Sequence, residues 1–91
     1  MCTMIAEKVK VDGSGKGVSG WFTVAQANVS YDHPFNAPFE HALNIDFVNE
    51  SQGLGARVAV ELSEQAAREL VKTILAVLDQ AEVGGHLVSS H

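Results

Sequence analysis

Three residues of the types that bind transition metals stand beside candidate strands, namely Cys2, His33 and His41. Two carboxylates, Asp32 and Glu40, are the direct neighbours of the two histidines. Thiolate and imidazole are preferred ligands of zinc and copper, and a carboxylate can complete a site that has two histidines. Imidazole also exchanges protons near neutral pH, so a histidine beside a carboxylate could act as an acid–base pair without metal. These residue types indicate a metal site, with zinc or copper favoured over iron or nickel, or a proton-transfer site.

The five candidates are separated in sequence, so only the fold can bring them together. Two-residue alternation of apolar and polar side chains predicts strands at residues 3–11, 21–32, 41–48 and 56–62. Segments rich in glycine, serine or proline predict the connections at residues 12–20, 33–40 and 49–55. Both prolines of the chain lie in the second connection, where their missing N–H groups interrupt no strand pairing.

A helix is predicted after the fourth strand. Ser63 is a typical N-cap residue, Glu64 lies at the positive end of the helix dipole, and Gly84-Gly85 can end the helix. The apolar residues at helical spacing are Ala66, Ala67, Leu70, Val71, Ile74, Leu75, Val77, Leu78 and Ala81. The sequence therefore predicts an α+β fold, a four-stranded antiparallel meander with one C-terminal amphipathic helix packed on one sheet face. Residues 1–84 would form the single domain and residues 85–91 a flexible tail.

In such a meander, one sheet edge collects the five candidate residues together with the start of the helix. By alternation His33 and His41 fall on the same face, whereas Cys2 falls on the other and would need a bulge or a flexible terminus to join them. The helix start would favour a small anionic ligand at this edge. In the alternative interpretation, both histidines bond to nearby backbone and Cys2 is a small apolar residue without a chemical role.

The sheet face opposite the helix is predicted to be too apolar for free solvation, so we expect it to meet another subunit or a ligand. Its expected members are Met4, Ala6, Phe22, Val24, Gln26, Asn28, Ala42, Asn44, Asp46, Val48 and Ala59. On the helix side, Trp21 and Tyr31 are expected to fill the core. The run Gly13-Ser14-Gly15-Lys16-Gly17 lacks the spacing and the following helix of a phosphate-binding loop.

Composition restricts the partners and the compartment. The 91 residues carry 6 basic and 11 acidic side chains, a net charge of −5, which disfavours nucleic acid. No apolar run is long enough for a signal peptide or a membrane span, and the single cysteine fits a reducing cytoplasm. So short a chain buries only about 60 to 65% of its unfolded surface, so we expect a homodimer or a higher homo-oligomer.

Several segments resemble a family of small bacterial proteins of actinobacterial type and of unknown function, over about residues 1–82. They are Met1-Cys2-Thr3, Gly20-Trp21-Phe22, Tyr31-Asp32-His33-Pro34, and the strands at residues 41–47 and 56–62. The resemblance implies no activity and assigns no residue. From the residues, the leading hypothesis is a small cytoplasmic transition-metal-binding protein that could also be an enzyme. The alternative is a homodimeric ligand-binding or accessory module that uses the outer sheet face without catalysis.

Overall fold

The structure, a computed structural model, describes residues 5–53 and 55–85 of the chain. Its elements are β1 (Ile5–Gly17), β2 (Gly20–Asp32), β3 (Ala42–Val48), a 3-10 helix (Glu50–Gln52), β4 (Arg57–Leu62) and α1 (Glu64–Val83). The strands form one antiparallel sheet in the order β1-β2-β3-β4, which confirms the predicted α+β meander with one C-terminal helix. Within the described residues, no helix is long and apolar enough to cross a membrane.

The first hairpin is longer than the sequence predicts. The strand expected to end at Val11 continues to Gly17, so most of the expected loop at residues 12–20 is paired with β2. Gly17 pairs with Gly20, and a two-residue turn joins them. Gly20 has a φ of 114°, a backbone conformation that glycine adopts readily. The register shifts between Lys10 and Gly13, as in a β-bulge. Glycine and serine were thus misleading, because they indicate a turn even where they are paired in a strand.

The tip of this hairpin curls towards β4, which explains its small residues. A Cβ atom at position 17 would lie 2.8 Å from the carbonyl oxygen of Gly55, closer than real side chains come. A Cβ atom at position 15 would lie 3.1 Å from Val24 and 3.5 Å from Val58. The glycines therefore let the hairpin approach the opposite edge of the sheet.

Two predictions about the sheet faces are wrong for the same reason. Val24, expected on the outer face, is only 5% exposed and lies beside Phe47 and Val58 under the curled hairpin. Trp21, expected in the core, is 72% exposed next to the turn, and Tyr31 is 37% exposed. Because the curl covers this end of the sheet, simple alternation along β2 does not identify its interior side.

Helix α1 begins as predicted and lies on one face of the sheet. The Ser63 hydroxyl accepts a hydrogen bond of 3.1 Å from the backbone N–H of Ala66, and Gly85 follows the helix with a φ of 74°. Its main contact is with β3, and that contact is slight. Every large apolar residue from Leu70 to Leu78 is 43% to 58% exposed. The described residues that are buried are few and mostly small: Val24, Ala27, Ala42 and Ala56.

Candidate functional site

Three aromatic rings form a row where β2 ends and β3 begins; we call Tyr31, His41 and His33 the ring row. The ring centroids of His33 and His41 are 4.8 Å apart with 23° between the ring planes. Those of Tyr31 and His41 are 5.8 Å apart with 18° between the planes. Asp32, the last residue of β2, pairs with Ala42, the first residue of β3. This pairing brings together the two histidines just beyond the strand ends.

The carboxylates beside the histidines have other roles. The Asp32 carboxylate accepts a hydrogen bond of 2.7 Å from the backbone N–H of His33. Glu40 contributes its backbone carbonyl oxygen, which lies 2.8 Å from Nδ1 of His33. A carbonyl oxygen can only accept, so Nδ1 carries the proton in this hydrogen bond. One imidazole is therefore bonded to main chain, as the alternative interpretation of the sequence expects.

The ring row does not have the geometry of two imidazoles around one metal ion. A metal bound by histidine lies in the plane of the ring, about 2.0 Å from the nitrogen. Two stacked and nearly parallel planes share no such point. Within residues 5–53 and 55–85, no three His, Cys, Asp or Glu side chains are placed to hold one ion. Cys2 lies outside the described residues, and a site with Asp32 or Glu40 would require a histidine ring to leave the stack.

The loop that carries His33 is fastened by Glu61 of β4, a residue that the sequence did not single out. The Glu61 carboxylate accepts hydrogen bonds from the backbone N–H groups of Phe35, Asn36 and Ala37, the last two at 3.1 and 2.9 Å. The bonds from Ala37 and Phe35 are the main reason that the pKa of Glu61 lies below its ordinary value. Alternation marks Glu61 as outward-facing, but no sequence signal shows that the loop folds back onto it.

Between α1 and the sheet lies an open groove of about 650 Å³, which we call the helix–sheet groove. Its sheet side and its helix side are both mainly aliphatic. The lining residues are Val29, Tyr31, Leu43, Ile45, Leu62, Glu64, Ala67, Arg68, Leu70, Val71 and Ile74. Its two charged residues, Glu64 and Arg68, form an ion pair of 2.8 Å with each other. The groove was not predicted, because an amphipathic pattern shows which helix face meets the sheet but not how far the helix stands from it.

The outer face of the sheet is more occupied than the sequence predicts. Arg57 and Asp46 form an ion pair of 2.8 Å across β3 and β4, and Gln26 donates a 2.6 Å hydrogen bond to Asn28. The loop fastened by Glu61 lies over one end of this face. Most of the large apolar side chains that lack cover lie instead on the helix and on the sheet face beneath it, where Ile5 and Val9 are 61% and 55% exposed; others, such as Val18 and Phe35, lie in the connections.

Fold and site together define a small α+β protein with an incompletely covered apolar face beside a row of aromatic rings. The chain belongs to a family of unknown function, DUF6295, whose sequence pattern matches residues 1–87. No curated protein and no solved structure matches the chain significantly. The bacterial, actinobacterial-type origin that the resemblance implies and the Met-Cys-Thr opening as a feature of the family stay predictions.

Proposed function

We propose that this protein is a small binding module that takes an uncharged, largely apolar molecule in the helix–sheet groove. The groove carries this proposal: its 650 Å³ falls within the roughly 300–1,000 Å³ of typical small-molecule sites, and its lining is aliphatic. The proposal keeps the ligand-binding alternative of the sequence but moves it from the outer face to the helix side. A neutral ligand fits better than the anionic one that the helix start suggested, because the two charged residues of the lining, Glu64 and Arg68, form an ion pair and leave no net charge in the groove.

Tyr31 adds a phenol to the mainly aliphatic lining of the groove. Its ring lines the groove and stacks on His41, and it is 37% exposed. A phenol can donate or accept a hydrogen bond. An apolar ligand with a single hydroxyl or carbonyl group therefore suits the site. At about 25 cal/mol per Å², burying roughly 200 Å² of ligand surface contributes about 5 kcal/mol, which corresponds to a dissociation constant of roughly 0.2 mM before other costs.

The test is a fluorescence titration with N-phenyl-1-naphthylamine, an uncharged apolar probe. Ala67→Phe places a ring on the groove wall and is expected to weaken probe binding at least fivefold. Ala76→Phe adds the same ring to the same helix, at a residue that does not line the groove, and is expected to bind the probe like the wild type. Equal binding by wild type, Ala67→Phe and Ala76→Phe, all folded by circular dichroism, would reject the groove as the site.

A second candidate function is transition-metal binding at the ring row, and the 4.8 Å between the His33 and His41 rings is the observation that favours it. One ring would rotate out of the stack, and Cys2, Asp32 or Glu40 would supply a third ligand to zinc or copper, with iron or nickel less favoured. In a reducing cytoplasm, the proposed location, the Cys2 thiol would stay available.

Elemental analysis of protein purified without an affinity tag tests the metal site. We expect one zinc or copper ion per chain in the wild type and none in the double variant His33→Ala, His41→Ala. Isothermal titration of the apoprotein with Zn²⁺ provides a second measurement that does not depend on purification. Metal-free wild type that shows no heat of Zn²⁺ binding would contradict the metal site and leave the groove proposal unaffected.

A further inference from the structure

The apolar face of α1 extends beyond the groove. A helix of 20 residues is about 30 Å long, whereas β3 and β4, with 7 and 6 residues, span about 23 and 20 Å. The groove uses the helix only as far as Ile74. Beyond it, Leu75, Val77 and Leu78 are 56%, 58% and 46% exposed. We call residues 75–83 the helix overhang.

The exposed apolar surface of α1 suits a subunit interface better than the surface of a compact monomer. Its large apolar side chains are 43% to 89% exposed, namely Leu70, Val71, Ile74, Leu75, Val77, Leu78 and Val83. Monomers rarely leave a contiguous apolar patch of more than a few hundred Å² in water. An interface of standard size buries about 800 Å² per copy, an area that a helix about 30 Å long and its flanks can supply. A second copy is therefore large enough to cover this face.

The residue pattern of α1 suits a second copy of the same helix. Leu70, Ile74, Val77 and Ala81 recur at spacings of four and three, which places them along one seam, as in helix–helix packing. Around a twofold axis each seam residue meets the same set on the partner, so one apolar stripe is complementary to itself. The seam carries no charge, so close packing of two such helices along it buries no unpaired ion.

From these observations we propose that two copies of this chain pair through the helix overhang, with the two α1 helices packed along the seam. This interface goes beyond the groove proposal, because its part in the helix overhang, which includes Val77 and Ala81, does not line the groove; Leu70 and Ile74 belong to both. A partner of opposite charge is not required. The self-complementary pattern and the area favour a second copy over an unrelated protein.

Analytical ultracentrifugation of the full chain tests the pairing. The wild type at about 50 μM is expected to sediment with twice the 9.7 kDa chain mass. Leu78→Glu introduces a charge next to the seam and is expected to weaken association at least 100-fold. Ala76→Glu makes the same change in charge in the same helical turn, on the side of the helix away from the seam, and is expected to remain a dimer. A monomeric wild type, or a Leu78→Glu variant that associates as tightly as Ala76→Glu, overturns the proposal.

A second variant keeps the test decisive if Leu78→Glu fails to fold. The double variant Val77→Ala, Leu78→Ala removes a seam residue and its neighbour, keeps high helix propensity, and is expected to raise the dimer dissociation constant at least tenfold. Failure of this proposal can be told apart from failure of the groove proposal. Ala67→Phe should lose the probe but remain dimeric, whereas folded Leu78→Glu should become monomeric and retain the probe within severalfold. A larger oligomer that is unchanged in both overhang variants would also overturn the pairing.

Discussion

Replacing Gly17 by alanine tests whether the first hairpin really folds against β4. The added Cβ atom would lie 2.8 Å from the carbonyl oxygen of Gly55 and 3.4 Å from that of Arg57. Both neighbours are backbone atoms, so neither can give way by a change of rotamer. Either the hairpin tip or the segment before β4 must move by several tenths of an ångström. The backbone of Gly17 itself can accept alanine, because its φ is not positive.

The expected cost follows from this forced contact. Extra methyl groups in tightly packed places typically destabilise by about 1–3 kcal/mol. For a domain of this size, each kcal/mol lowers the melting temperature by roughly 4–8 °C, so Gly17→Ala should melt roughly 4–24 °C below the wild type. Gly13→Ala is the matched control, because a Cβ atom there would meet nothing within 4 Å. That change should be neutral or stabilise by about 0.4–1 kcal/mol, through the lower entropy of the unfolded chain.

Thermal unfolding followed by circular dichroism measures both variants. The protein concentration must be identical throughout, because association shifts the melting temperature. If Gly17→Ala melts at the temperature of Gly13→Ala, the hairpin tip does not approach the Gly55 peptide, and the account of why glycines occupy this strand is refuted.

Three further predictions concern single contacts. Glu61→Gln should loosen the loop at residues 35–37, seen as faster amide exchange at Ala37, whereas Glu40→Gln should not. The pKa of Glu61 is lower in the folded protein than its ordinary value of 4.5, so Glu61 stabilises the fold above pH 4.5 and loses this effect as the pH falls through the folded pKa. The urea midpoint should therefore decrease less between pH 7 and pH 3 in Glu61→Gln than in the wild type. Ser63→Ala should lower the free energy of unfolding in urea by about 0.5–2 kcal/mol, because the N-cap hydrogen bond is lost. Gln65→Ala should leave it nearly unchanged. Asp46→Asn should cost less than about 1 kcal/mol, with the difference shrinking in 1 M salt.

The parts of the fold that could be predicted are those that local chemistry determines. Strands β2, β3 and β4 begin within one residue of their predicted starts and end where predicted, because alternation and turn residues define them. The start of α1 could be predicted from Ser63, because its hydroxyl bonds to a backbone N–H group in the first turn of the same helix. The closeness of His33 and His41 follows from strand order, since a meander must bring the end of β2 to the start of β3.

The parts that could not be predicted depend on contacts distant in sequence. From the sequence, Gly17 indicates a turn; only the structure shows that this residue lies in a strand and closely approaches Gly55 of a distant segment. Glu61 resembles an ordinary surface residue until residues 35–37 are seen to bond to it, 24 to 26 positions away in sequence. The helix–sheet groove depends on the separation between α1 and β3, which no pattern within either element contains. Strand order therefore predicted that His33 and His41 lie close together, whereas the stacking of Tyr31 on His41 and the groove were not predicted.

One apolar helix face would serve two purposes in this molecule, and that predicts a coupling between them. The first half of the face of α1 lines the groove, and the second half forms the helix overhang. Because α1 contacts the sheet only slightly, pairing of two helices would fix the position of α1 and therefore the width of the groove. A ligand that prefers the fixed position must in turn strengthen pairing by the same factor.

Probe affinity per chain should therefore depend on protein concentration. Titrations of N-phenyl-1-naphthylamine at protein concentrations below and above the dimer dissociation constant should give affinities that differ severalfold in the wild type. The folded Leu78→Glu variant should show the weaker affinity at every concentration, since its helix has no partner. Equal wild-type affinity on both sides of the dissociation constant would mean that the groove is already fixed in the single chain, and that the slight contact between α1 and β3 is sufficient to hold the helix in place.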